Sequence, residues 1–341
     1  MRVAVVFDTP YSGYTPADHL NRMRDEIAAW DQTEPEQEYQ IGWALAENGH
    51  DVVFLGVNGD PAEFLSNLKR SRVDIAFNCA ETFNGADRLD YLVPSLLEAE
   101  GIRYTGASPL ALMLTRNKAL SKKVLAHHGV CVPRFVTYRT GEDMDEDPTL
   151  RFPVIVKPLQ LDASVGVSQA SVVRDLEGLA ERVKFVHERF SHAAIAEEFI
   201  EGRELYVSVL GHGKKLEILP PVEMVFGKAI KPEQRIATAT AKWDEDYRER
   251  NGIKNVLARP ISRAAQQKIA DAVTTAYRAL WLRDYARFDI RLSPDDEVWI
   301  LEANANPYLC YGHEISKSAE RAGMDHKDLV DRIVREALER E

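Results

Sequence analysis

The chain has 341 residues, 45% hydrophobic and 28% charged, with a formal net charge of −11 at pH 7. That length suits two or three domains, and the composition is that of a globular protein. The acidic balance argues against a general nucleic-acid binder, which needs clustered Lys and Arg, but it leaves room for a single nucleotide held by a few placed cations. No apolar run approaches the ~20 residues of a membrane span, so no membrane partner is expected. Residues 1–8 are too short and too quickly acidic for a secretory signal. Cys79, Cys131 and Cys310 are scattered and odd in number, without CxxC spacing. This predicts reduced thiols, a cytoplasmic setting and no zinc site.

Residues 3–7 predict a buried strand, 36–48 a helix stopped by Gly49, 51–55 a strand, 61–69 a helix and 73–78 a strand. A helix over 89–100, stopped by Gly101, and a short strand over 102–105 follow. Such alternation predicts a parallel sheet flanked by helices, with ligands beyond the carboxyl ends of the strands. The polar, glycine-bearing segments 8–15 and 79–87 are therefore candidate binding loops. A long helix is predicted over 109–128, then a strand over 152–157, a loop over 158–166, a strand over 167–172 and a helix over 176–189. Strands at 195–200 and 204–210 flank a Glu201-Gly202 turn. A strand over 216–226 is interrupted by Pro220-Pro221, which suits an edge or a bend. Residues 227–252 are charged and irregular, the mark of a functional or mobile loop in a compact domain. A helix over 262–281, strands over 285–292 and 298–304, and a helix over 326–340 complete the chain.

The last strand pair carries the densest chemistry. Alternation puts Arg287, Asp289 and Arg291 on one face. The linker centres near Asp295 and Asp296, which places Asp289 opposite Glu302, with Asn304 two residues on; a slip of one residue would turn Glu302 away. Oxygen ligands of this kind suit Mg²⁺, held by one or two carboxylates plus substrate phosphates. The alternative is an amphipathic hairpin with surface carboxylates. Lys157 ends an apolar strand, where burial without a partner is costly and where a cleft-facing ammonium can hold a phosphate as a point charge. Ser164 and Gly166 lie at the tip of 159–167, either a plain turn or a place where backbone N–H groups approach a phosphate. Lys118 reads as a solvated helix residue or a ligand. Glu197, Glu198, Phe199 and Ile200, with Glu204 after Gly202-Arg203, form either a hinge against adenine and ribose or a run of surface carboxylates.

Taken in order, these pieces resemble the ATP-grasp superfamily, most closely the D-alanine–D-alanine ligase group. The matching stretches are Tyr104-Thr105-Gly106, Asn117-Lys118, FPVIVKP at 152–158, Ser164-Val165-Gly166, 197–204 ending Gly202-Arg203-Glu204, Ala241-Lys242, Ala286-Arg287-Phe288-Asp289 and Glu302-Ala303-Asn304. The resemblance runs from about residue 77 to the C-terminus. It implies an α/β ATP-grasp fold with an N-terminal parallel-sheet domain over 1–106, a central subdomain over 107–195 and a C-terminal subdomain over 196–341 carrying the metal site. It implies an ADP-forming carboxylate–amine ligase acting on amino acids or similar small molecules through an acyl phosphate. Lys118 and Lys157 would hold ATP phosphates, with Ser164 and Gly166 in the loop that closes over them. Glu197, Glu198, Phe199 and Ile200 would line the adenine pocket, and Glu204 would take the ribose hydroxyls. Lys242 would approach the γ-phosphate from a mobile loop, and Arg287 would stabilise charge on the acyl intermediate. Asp289, Glu302 and Asn304 would bind two Mg²⁺ ions, with Mn²⁺ as a substitute. A homodimer is implied by the resemblance alone.

The departures from that group fall on one side. Its phosphate loop is Gly-Ser-Ser, and here it is Asp162-Ala163-Ser164; the tyrosine after the loop lysine is Trp243. No glutamate in 8–18 matches the one that joins that serine and tyrosine around the first D-alanine. Asn306-Pro307 runs into Tyr308 rather than glycine, and 80–88 (AETFNGADR) replaces the usual His-Gly-x-x-Gly-Glu-Asp-Gly loop. All of these touch the amino-acid side, so the expectation is the same chemistry on a different substrate. The rivals are a true D-alanine–D-alanine ligase and a catalytically silent nucleotide-binding regulator.

Overall fold

The computed structural model describes residues 1–9, 15–57, 59–142 and 150–340. Residues 10–14 of the predicted binding loop lie outside them. Four parallel strands open the chain in the order β2-β1-β3-β4: β1 (Arg2–Asp8), β2 (Asp51–Val57), β3 (Ile75–Asn78) and β4 (Arg103–Tyr104). Helices α1 (Pro16–Ala28), α2 (Gln37–Glu47), α3 (Pro61–Ser71) and α4 (Leu92–Ala99) lie between them. Because side chains alternate along a strand, β1 feeds two cores. Ala4 and Val6 pack with Phe64, Leu68, Val93 and Leu97. Val3, Val5 and Phe7 pack on the other face with Tyr39, Ile41 and Phe54, together with Leu329, Ile333 and Val334 from the end of the chain. Each of the larger aliphatic and phenyl side chains contributes roughly 1.5–3 kcal/mol by leaving water.

Helices α5 (Pro109–Arg116) and α6 (Lys118–His127) lead to an antiparallel sheet ordered β5-β8-β6-β7, from β5 (Phe135–Tyr138), β6 (Val154–Pro158), β7 (Val172–Val173) and β8 (Ala194–Glu198), backed by α7 (Leu176–Phe190). The third sheet runs β12-β11-β9-β13-β14, with β10 also on β9. Its strands are β9 (Arg203–His212), β10 (Lys215–Ile218), β11 (Val222–Val225), β12 (Lys254–Leu257), β13 (Asp284–Leu292) and β14 (Val298–Asn304). Short helices α8 (Ala239–Trp243) and α9 (Glu245–Arg250), then α10 (Arg263–Ala279), α11 (Glu314–Arg321) and α12 (His326–Glu339), complete it. No described helix is long and apolar enough to cross a membrane.

Several expectations are corrected. The helix predicted over 109–128 breaks at Asn117, whose extended backbone and side chain cap α6 by accepting from the Leu120 N–H; a capping residue inside an apolar stretch starts a new helix. The predicted helix over 89–100 begins at Leu92, after a 3₁₀ turn at Asp87–Leu89. The strand predicted over 167–172 is mostly a 3₁₀ turn at Gln169–Ser171, leaving only β7. The strands around Glu201-Gly202 are not partners: β8 pairs with β5 and β6, and β9 with β10, β11 and β13. The expected boundary at 195/196 therefore cuts β8, and residues 199–202 make the crossing between sheets. Gly202 is needed there, since a Cβ would sit 2.2 Å from the Leu292 carbonyl oxygen at a φ of 148°. The irregular segment 227–252 contains α8 and α9, capped by Thr238 and Asp244. Helices α1 and α11 and strands β5 and β12 were not expected from the sequence pattern.

Candidate active site

The site lies between the two antiparallel sheets. Across β13 and β14 the register sets Asp289 opposite Glu302, as predicted, and Arg287 opposite Asn304. The ladder then slips, pairing Ile290 with Ile300 and leaving Leu301 as the extra residue. Such bulges are common beside active sites, where they re-aim side chains. Asp289 and Glu302 thus share a face. Asp289 accepts from Arg287 Nε at 2.8 Å and from Asn304 Nδ2 at 3.0 Å, with Lys242 Nζ at 3.7 Å. Arg287 also lies 3.5 Å from Glu314 Oε2 and over the Tyr206 ring. Glu302 Oε1 takes Lys118 Nζ at 2.9 Å.

A second buried group stands beside the first. The Glu197 carboxylate is held between Lys122 at 3.2 Å and Lys157 at 3.1 Å. Burial alone would raise both Glu197 and Glu302, but the surrounding lysines outweigh it and hold both below the ordinary carboxylate range. Burial works against the Lys118 charge too, yet Glu302 and Asp162 hold its pKa above normal. Lys122 goes the other way: burial, aided by Lys157 and opposed by Glu197, brings it down to about 8.

Lys118, Lys157, Ser164, Glu197 and Glu204 all line one narrow cleft, with Phe199 and Ile200 on its wall. Its cavity volume is only about 80 Å³, because loops already bridge it. Ser164 Oγ donates to the Ala237 carbonyl at 2.8 Å, Gln169 Nε2 to that of Gln234, and Trp243 Nε1 to that of Ala163 at 3.1 Å. Gly166, at a φ of 76°, packs where a Cβ would meet the Pro158 ring at 2.8 Å. Glu198 lines the same cleft, and its carboxylate accepts from the Arg151 N–H. Glu204 is tied to Arg291 at 2.7 Å, and the same guanidinium donates to the Gly202 and Arg235 carbonyls and lies over Phe199. Glu197 is so enclosed that its charge serves the two lysines.

Beyond Asp289 and Glu302 a larger cavity of about 840 Å³ opens toward the carboxyl end of β3. Its lining carries Glu81, Asp87 and Asp90 from the predicted loop and its continuation, together with Arg287, Lys242 and Arg248. Trp243, His313 and Tyr308 form an aromatic corner, with ring centroids 6.4 and 4.9 Å apart. Arg116 joins Asp90 to Asp162 of the phosphate loop. No cluster of three His, Cys, Asp or Glu side chains suited to a metal occurs among the described residues. The donor set is two carboxylates and the Asn304 amide, hard oxygen ligands that fit Mg²⁺.

The family described as D-ala D-ala ligase C-terminus matches residues 124–335. The chain belongs to the D-alanine–D-alanine ligase family. A D-alanine–D-alanine ligase of Desulforudis audaxviator is 34% identical over 87% of this chain and 91% of its own. An uncharacterised Sinorhizobium fredii protein, y4sG, is 31% identical over 98% of this chain and 96% of its own. In fold, the chain is similar to the Bacillus anthracis D-alanine–D-alanine ligase crystallised with ATP, at a TM-score of 0.74 and 21% identity, over 99% and 97% of the two chains. It is therefore an ATP-grasp, ADP-forming ligase with an N-terminal parallel-sheet domain.

Within that family frame, Lys122, Arg116 and Glu314 are the residues that sequence reasoning missed, while strand alternation puts Arg291 on the face of Asp289 but gives it no partner. Lys122 had a signal: it lies four residues after Lys118, on the same helix face. Glu314 had none, because it starts a helix that the pattern did not show.

Proposed function

We propose that this ligase activates the carboxylate of an amino acid or similar small molecule and joins it to an amine, with a pair other than two D-alanines as its preferred substrates. One observation carries the second part. Two of the departures from the family pattern, Ala163 and Trp243, meet: the indole N–H donates to the Ala163 carbonyl. Alanine has no hydroxyl, and an indole is a donor only. The hydrogen bonds that a serine and a tyrosine would offer a substrate are thus missing, and the indole's one donor is already engaged.

In the reaction, the substrate carboxylate attacks the γ-phosphorus of ATP and ADP leaves. The amine then attacks the acyl carbon, loses a proton and displaces inorganic phosphate. Asp289, Glu302 and Asn304 would hold Mg²⁺ or Mn²⁺, which when bound neutralises phosphate charge. Lys118 and Lys157 hold the phosphates, Lys242 reaches the γ-phosphate from α8, and Arg287 faces the oxygen on which charge develops. Catalysis of this kind is mostly positioning and electrostatics. Segment 227–252 excludes water from the labile acyl phosphate. A cytoplasmic setting and a homodimer belong to the same reading.

A D-alanine–D-alanine ligase is the rival, favoured by the relatives that carry that name. A panel of amino acids and dipeptides, assayed pairwise for ADP release with the product identified by mass, separates the two. D-alanine alone should turn over several orders of magnitude below the best pair, up to about 10⁴-fold, the scale of discrimination when a needed hydrogen bond is missing. D-alanine as the best substrate would overturn the altered-pocket reading.

A further inference from the structure

Lys122 is fully buried on α6, one helical turn after Lys118. Its ammonium lies 3.2 Å from Glu197 Oε1, while Lys157 takes Glu197 Oε2 at 3.1 Å. It also donates to the Leu301 carbonyl. Leu301 is the residue that the β13–β14 bulge leaves outside the ladder, and it directly precedes Glu302. One turn back, Lys118 takes Glu302 itself. Helix α6 therefore sends two lysines to two different sheets, one to the buried Glu197 and one to the partly buried Glu302. Burying an ammonium costs several kcal/mol unless it is paired and hydrogen-bonded, and the lowered pKa of Lys122 shows that cost at work. Lys157 faces the cleft at the end of β6, whereas Lys122 stands behind Glu197.

We infer that Lys122 is a positioning residue for nucleotide binding: it shares the charge of Glu197 and pins the Leu301 carbonyl, so that Lys157 remains available to phosphate and Glu302 stays aimed into the cleft. This rests on the reading of the cleft as the ATP site. Without Lys122 the whole Glu197 charge falls on Lys157, and the two lock together as a closed ion pair. The bulge carbonyl also loses its partner.

The test is ATP affinity by calorimetry, with the KM values for ATP and for the amine, on Lys122→Gln, Lys122→Arg, Glu197→Gln and the Lys122→Gln/Glu197→Gln pair. Lys122→Gln should melt as a folded protein and bind ATP about tenfold more weakly, the scale of a lost charged hydrogen bond, with the amine KM unmoved. Lys122→Arg should recover most of that loss. In the Glu197→Gln background, Lys122→Gln should add roughly threefold or less, because its partner charge is gone and only the Leu301 contact is left to lose. A folded Lys122→Gln with wild-type ATP affinity overturns the inference. So does a loss of the same size in both backgrounds, which would leave the Glu197 charge no part in the effect. If Lys122→Gln does not fold, the double variant is compared with Glu197→Gln, and a loss of about tenfold or more between them overturns the inference. Wild-type protein that binds no ATP would sink the cleft reading as well, an outcome distinct from a failure of Lys122 alone.

Discussion

Glu302→Gln should reduce ATP turnover by roughly 10³-fold or more, about 4 kcal/mol of transition-state stabilisation. Glu302 stands directly opposite Asp289 and is the anionic partner of Lys118. The amide keeps the shape of the carboxylate but removes a negative charge that the metal needs and that Lys118 is paired with. Lys118 is buried, and loss of its partner also costs stability, up to about 3–5 kcal/mol where the remaining charge finds no substitute. Here Asp162, 3.4 Å from the same ammonium, softens that cost. The variant should therefore fold, with a lower melting temperature, and its defect should persist at saturating Mg²⁺. Turnover near wild type under those conditions would remove Glu302 from the metal site.

Arg287→Lys should lower kcat by roughly 10²-fold, the scale of losing one preorganised donor at a developing charge, with little change in the KM for ATP. The guanidinium is engaged on three sides, by Asp289, Glu314 and the face of Tyr206. Burial opposes its charge, but Asp289 and Glu314 outweigh burial and raise its pKa, so it stays cationic. A lysine keeps the charge and loses the fork that meets two carboxylates at once. Steady-state kinetics with the best substrate pair would measure the split. A kcat within about threefold of wild type would reduce Arg287 to an anchor for Asp289 and Glu314, since that change is under 1 kcal/mol.

The legible part of this molecule was whatever short-range pattern dictates. The Asp289–Glu302 register could be read because a five-residue linker and strict alternation leave few pairings, and the parallel sheet could be read from strand–helix alternation ended by Gly49 and Gly101. The bulge at Leu301 could not, since nothing in VWILEAN marks which residue drops out of the ladder. The crossing of residues 199–202 between two sheets was hidden for a similar reason: Glu201-Gly202 is as good a hairpin turn as a crossover. The packing of Leu329, Ile333 and Val334 beneath β1 joins residues some 330 positions apart. The amphipathic pattern of α12 shows that it has a buried face but not what covers it. Lys118 and Lys157 were found by their neighbours in the motif. Lys122 escaped because its role depends on Glu197, which arrives from another sheet.

The most direct test of the account labels the carboxylate of the preferred substrate with ¹⁸O and follows the label through turnover. An acyl-phosphate route transfers one labelled oxygen to inorganic phosphate for each amide formed, with ADP as the only nucleotide product. Unlabelled phosphate, or label carried into AMP, would contradict it.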